Sequence, residues 1–192
     1  KLGLKNKIIL LWAGNMGAPH DIESILESAK QLINKTDIHF LLIGTGDYLN
    51  PDSNEIECKR AVIQMKLQKY VRFYSWQPNT ELPKFLNSSD IYVTTSLSDG
   101  SSVALMEAIS CGLPLVVTEV PSFREWVNDG ENGYIVPFKD SKSVSESVIK
   151  ILKNNKLKKK MIKNNLLLAS TKADWDINYE VLETVYKSAI NE

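Results

Sequence analysis

Two cysteines, Cys58 and Cys111, are all the thiol chemistry in 192 residues, too few for a disulfide framework and without the spacing of a zinc site. A reducing compartment suits such a chain. Arginine is scarce as well: Arg60, Arg72 and Arg124 are the whole set, and His20 and His39 are the only histidines. Basic and acidic residues balance at 23 each, so no bulk charge argues for nucleic acid or for an acidic partner. No apolar run approaches the ~18 residues that span a bilayer, and the opening Lys-Leu-Gly-Leu-Lys-Asn-Lys has no signal-peptide apolar core. A soluble, cytoplasmic protein is expected, long enough for one well-buried domain over 1–192.

What is present is an alternation of short apolar runs with helical periodicity, the pattern of an α/β fold with a Rossmann-like parallel sheet and helices on both faces. Strands are expected over 7–12, 38–43, 71–74, 91–94, 115–118 and 133–136. Helices are expected over 20–34, 53–68, 80–87 and 102–111, and the chain then closes with three more, over 141–153, 156–169 and 174–190. In open sheets of this kind ligands sit beyond the carboxyl ends of the strands, at the point where strand order reverses. The loops 13–20, 44–50, 75–79, 95–102 and 119–125 therefore delimit the expected site.

The richest of these is Asp99-Gly100-Ser101-Ser102-Val103, running into a helix that carries Glu107. Turn and N-cap residues precede the apolar positions Val103, Leu105, Met106 and Ile109, which are expected to pack. The first amides and the helix dipole favour an anion such as phosphate, whereas a carboxylate beside a phosphate is repelled. Asp99 and Glu107 are thereby assigned to hydroxyl groups. Glu107 lies five residues beyond Ser102, roughly 7 to 8 Å along the helix axis, so one ligand can meet both. A diphosphate between two polyols, as in a nucleotide-sugar, suits this layout; a solvated N-terminal Asp and a Glu on an exposed face are the plainer alternative.

The segment from Asp99 through Glu107, Cys111-Gly112-Leu113-Pro114 and Thr118, followed by Arg124-Glu125-Trp126 and Asp129-Gly130-Glu131-Asn132-Gly133, resembles the donor-site signature of retaining GT-B glycosyltransferases of family four, glycosyl transferases group 1. In that family two acidic residues are separated by seven others, as Asp99 and Glu107 are. The resemblance extends through 71–78 and 81–93 and covers the chain from about Ile8 onward. It implies a donor-binding domain, the C-terminal half of a GT-B fold, whose N-terminal acceptor domain lies outside this sequence. It further implies sugar transfer from a nucleoside-diphosphate sugar to a glycan or lipid-linked acceptor, with no metal or other cofactor. On it, Asp99 holds the transferred sugar, Glu107 the ribose, and Gly100, Ser101, Ser102 and Val103 supply amides to phosphate and sugar. Asp99 stands where the family usually has Glu, one methylene longer.

The loop after the first strand, Ala13-Gly14-Asn15-Met16-Gly17-Ala18-Pro19-His20-Asp21, is the other phosphate candidate, because glycine lets backbone approach an anion. The family's loop begins Gly-Arg and carries a Lys five residues beyond that Arg; here Asn15 and His20 hold those positions. The leaving diphosphate gains charge as the glycosidic bond breaks, and pre-placed cations stabilise it. His20 either supplies that cation, since an imidazole titrates near 6.5, or simply begins the helix, where positive charge is disfavoured. Trp76 and Gln77, at the end of the third strand, frame a base on the family reading; Trp76 otherwise covers the edge of the core. Gly44-Thr45-Gly46 is half of a dinucleotide fingerprint with no third glycine, and an ordinary strand-to-helix turn accounts for it better.

The lysine-rich stretch 153–165 reads as a solvated helical face or as a peripheral contact with anionic lipid. Three readings stand: a donor-binding glycosyltransferase domain, a degenerate GT-B domain that binds partners without catalysis, and a GT-B sugar epimerase, which the Asp99 to Glu107 arrangement fits less well.

Overall fold

The structure, a computed structural model, describes residues 3–17, 20–44, 53–100 and 102–190. Six strands, β1 (Ile8–Ala13), β2 (Ile38–Ile43), β3 (Val71–Tyr74), β4 (Ile91–Thr94), β5 (Leu115–Thr118) and β6 (Gly133–Val136), form one sheet in the order β3-β2-β1-β4-β5-β6. Every pairing is parallel. The order reverses between β1 and β4, so their two C-terminal loops face each other across the crevice in which doubly wound sheets bind ligands.

The helices are α1 (Ile22–Leu32), α2 (Ser53–Gln64), α3 (Leu82–Asn87), α4 (Val103–Ser110), α5 (Ser141–Lys153), α6 (Asn155–Lys172) and α7 (Trp175–Ile190), with a 3₁₀ turn at Pro121–Glu125. Two apolar layers sandwich the sheet, as strands that read as near-continuous apolar runs require. One joins Leu10, Trp12, Phe40 and Leu42 to Ile25, Leu26, Leu32, Val148 and Ile151; the other joins Leu11, Tyr92, Leu115 and Val117 to Leu105, Ala108, Ile109 and Phe123.

Helix α2 stops at Gln64 rather than continuing to 68. Lys66 adopts φ +59°, and the amides of Lys66 and Leu67 bond back to Ile63 and Val62 at 3.1 and 2.9 Å. That is a Schellman closure built on a non-glycine residue, supported by contact between the buried Val62 and Leu67. In α6 the chain runs three residues further than the periodicity predicted, and Asn154 caps it by accepting from Leu157 N at 3.0 Å. Asn165 on α6 is fully buried: its amide donates to Leu113 O and Asn132 O at 2.7 and 2.9 Å and accepts from Asn132 Nδ2 at 2.9 Å. This bonding fastens α6 beneath the ends of β5 and β6 that lie away from the crevice.

The last helix does not fold onto the domain. No residue of α7 is buried, and Trp175, Ile177, Tyr179, Val181, Leu182, Val185, Tyr186 and Ile190 are each 47 to 80 % exposed. No helix among the described residues is long and apolar enough to cross a membrane.

Candidate functional site

The β1 and β4 loops are stitched together at the strand-order reversal. The Asp21 amide donates to Thr95 O at 3.3 Å, the Thr95 hydroxyl donates back to Asp21 O, and His20 pairs with Ser96 as an isolated antiparallel bridge. His20 Nδ1 lies 2.8 Å from Ser96 Oγ, and its ring stands edge-on to Trp12 with centroids 5.8 Å apart. Asp21, one residue later, is the N-cap of α1, accepting from Ser24 N at 3.1 Å and Ser24 Oγ at 2.6 Å. The expectation that α1 begins at His20 is thereby corrected: an N-cap with non-helical dihedrals puts the first helical residue at Ile22 and leaves His20 in the loop. Burial lowers the His20 pKa below the usual imidazole value, and the Asp99 carboxylate opposes that shift.

Across the crevice, Ser102 caps α4 in an extended conformation, its hydroxyl accepting weakly from Leu105 N at 3.4 Å, so the amides of Val103 and Ala104 head the helix. Asp99 is half-buried on the loop before it, and Ser122 Oγ donates to Asp99 O at 2.9 Å, pinning that loop to the 3₁₀ turn. The packed face of α4 is Leu105, Ala108 and Ile109, with Val103 67 % exposed and Met106 half-buried. This corrects the expected packing of Val103. At about 100° per residue it points roughly opposite Leu105, away from the packed face, and stays exposed rather than joining the core.

Glu107 is half-buried, and burial raises its pKa above the usual carboxylate value. Beneath it lies Tyr92, fully buried on β4, whose hydroxyl donates to Ala13 O at 3.3 Å. Burial first, and then both Asp99 and Glu107, push the Tyr92 phenol well above its ordinary value. Both carboxylates thus act on one buried phenol on β4. Burial and the same Glu107 also raise the Cys111 thiol.

The other expected contacts divide. Gly14 follows β1 directly, its amide bonded to Ile43 O at 3.0 Å, and a Cβ on Gly44 would meet Gly14 O at 2.5 Å. Asn15 turns inward on its own loop, accepting from Gly17 N at 3.1 Å. Trp76 is 68 % exposed and so covers no core, while Gln77 donates to Ser75 O at 2.9 Å. Gly100 is exposed beside Asp99; Ser101 and 45–47 of the half-fingerprint lie outside the described residues. Arg124 reaches Glu119 at 3.7 Å, and Lys172 lies over the Trp126 ring at 4.3 Å. Among the described residues no three His, Cys, Asp or Glu side chains gather as metal ligands would.

A cavity of about 440 Å³ opens on the α1–α2 side of His20, lined by Met16, Asp21, Glu23, Glu57, Cys58 and Met65 among others. Its carboxylates disfavour an anion there. Sequence reasoning overlooked Tyr92 and the hydroxyl layer formed by Thr94, Thr95, Ser96 and Thr118, all nine-tenths or more buried. The signal was a run of three hydroxyl residues ending an apolar strand at the expected crevice.

The sequence pattern that defines glycosyl transferases group 1 matches residues 1–166. A phosphatidyl-myo-inositol mannosyltransferase of Mycobacterium leprae is 23 % identical over 182 residues, which is 93 % of this chain and 46 % of that protein. Among solved structures, the C-terminal domain of a glycosyl transferase group 1 protein (LpcC) from Francisella tularensis superposes with TM-score 0.76 at 23 % identity, covering 88 % of this chain and 87 % of that one. Anabaena HepE in complex with UDP-glucose superposes with TM-score 0.86 at 19 % identity, covering 97 % of this chain and 50 % of that one. The chain thus spans about half the length of the curated relatives it matches. Its sheet order, its helical layers and the match over 166 of its residues together place it: the chain belongs to the family glycosyl transferases group 1 and has the Rossmann-like α/β fold of one half of a GT-B enzyme.

Proposed function

We propose that this domain binds a nucleoside-diphosphate sugar and, closed against an N-terminal acceptor domain, serves a retaining glycosyltransferase acting on a glycan or lipid-linked acceptor. The observation that supports it best is the stitching of the His20 loop to the β4 loop at the β1/β4 reversal, with Asp99 and the head of α4 following directly on that loop and Glu107 one turn into the helix. Helix amides take phosphate, and the two carboxylates take sugar and ribose hydroxyls, a task that needs acceptors and no proton transfer. His20 is the basic group on the opposite loop, stabilising charge on the leaving diphosphate without a metal. Trp76, exposed at the end of β3, is free to stack on a base.

Calorimetry with uridine, guanosine and adenosine diphosphates tests this reading. Binding of one of them, lost on Glu107→Ala, is expected. The degenerate, non-catalytic reading is favoured by a specific observation, the closure of Asn15 onto Gly17 N where a cation would stand; no nucleotide binding to the full-length protein would establish it. Peripheral lipid contact belongs to the same proposal: α6 carries six lysines and no acidic residue, and Lys156, Lys159, Lys160 and Lys163 are all exposed.

A further inference from the structure

His20 has one ring nitrogen already committed. Its Nδ1 faces the Ser96 hydroxyl at 2.8 Å, and Ser96, at 0 % exposure, is itself 3.2 Å from Thr94 Oγ1. The Ser96 carbonyl accepts from the Thr118 hydroxyl on β5, so the backbone that carries Oγ is held from the neighbouring strand. The edge-on Trp12 ring, 1 % exposed, braces the imidazole from β1. A hydroxyl both donates and accepts, so this arrangement is compatible with a neutral or a cationic ring and fixes its direction in either state.

We propose that Ser96 is a positioning residue: its hydroxyl holds the Nδ1 edge of His20 and so makes Nε2 the nitrogen presented to the donor diphosphate. This rests on the donor-site reading above and adds to it a definite ring orientation and the group that sets it. A lysine at this position would find the phosphate by the flexibility of its stem; an imidazole is short and planar, and its usefulness depends on which vertex faces the ligand. The charged and titratable groups around the ring are Asp99 from the β4 loop, Asp21 and Glu23 from the start of α1, and Glu57 and Cys58 from α2 across the cavity. The carboxylates favour an imidazolium, whereas burial resists it, leaving a bound diphosphate to tip the balance.

Two substitutions separate the ring's vertices. The side-chain nitrogen of His20→Gln reaches the place of Nε2, and that of His20→Asn the place of Nδ1. With uridine diphosphate as the probe, or whichever of the three diphosphates binds, His20→Asn is expected to weaken binding about tenfold and His20→Gln no more than about threefold, the loss of one charge-assisted hydrogen bond. Ser96→Ala is expected to weaken binding about fivefold in the wild-type background and to leave His20→Asn unchanged, the non-additivity of two residues acting as one. It should also move the Nδ1 signal of His20 in ¹⁵N spectra, readily assigned in a chain with two histidines.

Equal affinities for the Asn and Gln variants overturn the proposal, as does a Ser96→Ala cost that is the same in both backgrounds. If Ser96→Ala does not fold, the Asn and Gln pair decides alone. A wild-type chain that binds none of the three diphosphates overturns the donor reading itself; an Nδ1 signal that still shifts on Ser96→Ala then keeps the tether and retires only its phosphate role.

Discussion

Gly44 packs its α-carbon against the carbonyl of Gly14, so closely that a Cβ there would lie 2.5 Å from Gly14 O. The contact joins the C-terminal ends of β1 and β2 beside the crevice, and Gly44 adopts φ +96°, a conformation that L side chains rarely reach. Gly44→Ala is therefore expected to cost about 2–4 kcal/mol, backbone strain and displacement of the Gly14 loop together. Urea denaturation measures the cost. Nucleotide affinity should fall in the same variant, because the loop that moves is the one expected to face the diphosphate.

The opposite pKa shifts of His20 and Glu107 set a pH dependence for nucleotide binding. Burial holds His20 below the ordinary imidazole value in the free protein, which favours its neutral form, and a bound diphosphate raises it toward the cationic form. Binding near neutrality should take up a fraction of a proton, and affinity should rise as pH falls from 8 toward 6.5. Glu107 starts above its ordinary 4.5, so at lower pH it takes a proton sooner than a free glutamate and the ribose loses its ionised acceptor. Calorimetry in buffers of different ionisation enthalpy reads the uptake directly, and His20→Gln should abolish it while leaving the acid-side decline. An uptake that survives His20→Gln would place the titrating group elsewhere.

The fold was legible because its determinants are local. Five strands, β2 to β6, fall on the residues that their apolar runs predicted, and the sixth is displaced by one. The placement of Asp99 ahead of α4 and of Glu107 within it followed for a similar reason: both lie on one loop and helix, and spacing along a helix is a distance. His20 was identified by position but not by environment. Its partner Ser96 is 76 residues away, and nothing in either local sequence announces a contact made only when β1 and β4 become neighbours. Val103 was misplaced because apolar character was read as burial, whereas the helix phase set by Leu105, Ala108 and Ile109 turns it outward. The end of α2 was missed because its closure uses Lys66, not the glycine that usually marks one.

Asn165 offers a stability test remote from the crevice. Its amide satisfies two backbone carbonyls and the Asn132 side chain from a fully buried position. Asn165→Leu keeps the branched shape at somewhat larger volume and orphans all three partners, so about 2–4 kcal/mol of destabilisation is expected. The amide-bearing Asn132 also ties Trp126 O at 2.9 Å, so the loop behind Asp99 should loosen together with α6. Hydrogen exchange of 126–133 and 157–168 is expected to accelerate in parallel; acceleration confined to α6 would show that the two segments are not coupled.

The lysines of α6 can be tested without reference to catalysis. Lys156, Lys159, Lys160 and Lys163 project from one exposed side of a helix that carries no acidic side chain. Cosedimentation with vesicles containing an anionic phospholipid, compared with neutral vesicles, should show binding that salt weakens. Replacing the four with glutamine should abolish it and leave the melting temperature within about 3 °C, since exposed charges contribute little to stability. Equal retention on neutral vesicles would assign the interaction to apolar surface instead.

Helix α7 presents a broad exposed apolar surface, with eight large apolar or aromatic side chains 47 to 80 % exposed. On a helical projection Trp175, Tyr179, Leu182, Tyr186 and Ile190 form one stripe and Ile177, Val181 and Val185 the adjoining one, an arc much wider than a surface helix ordinarily presents. An isolated helix of this length is marginal in water, and most helical stability comes from burying such a face. The domain supplies little of that burial: the capping at Asp174 and the Asn178 bond to Lys172 O hold only its first turn. Removal of 175–190 is therefore expected to leave the melting temperature within about 2 °C and nucleotide affinity unchanged, while reducing self-association. If an acceptor domain closes on this one as proposed and α7 docks on it, the same residues should there be strongly protected from hydrogen exchange. Exchange there as fast as in this chain would show that α7 does not join the two halves.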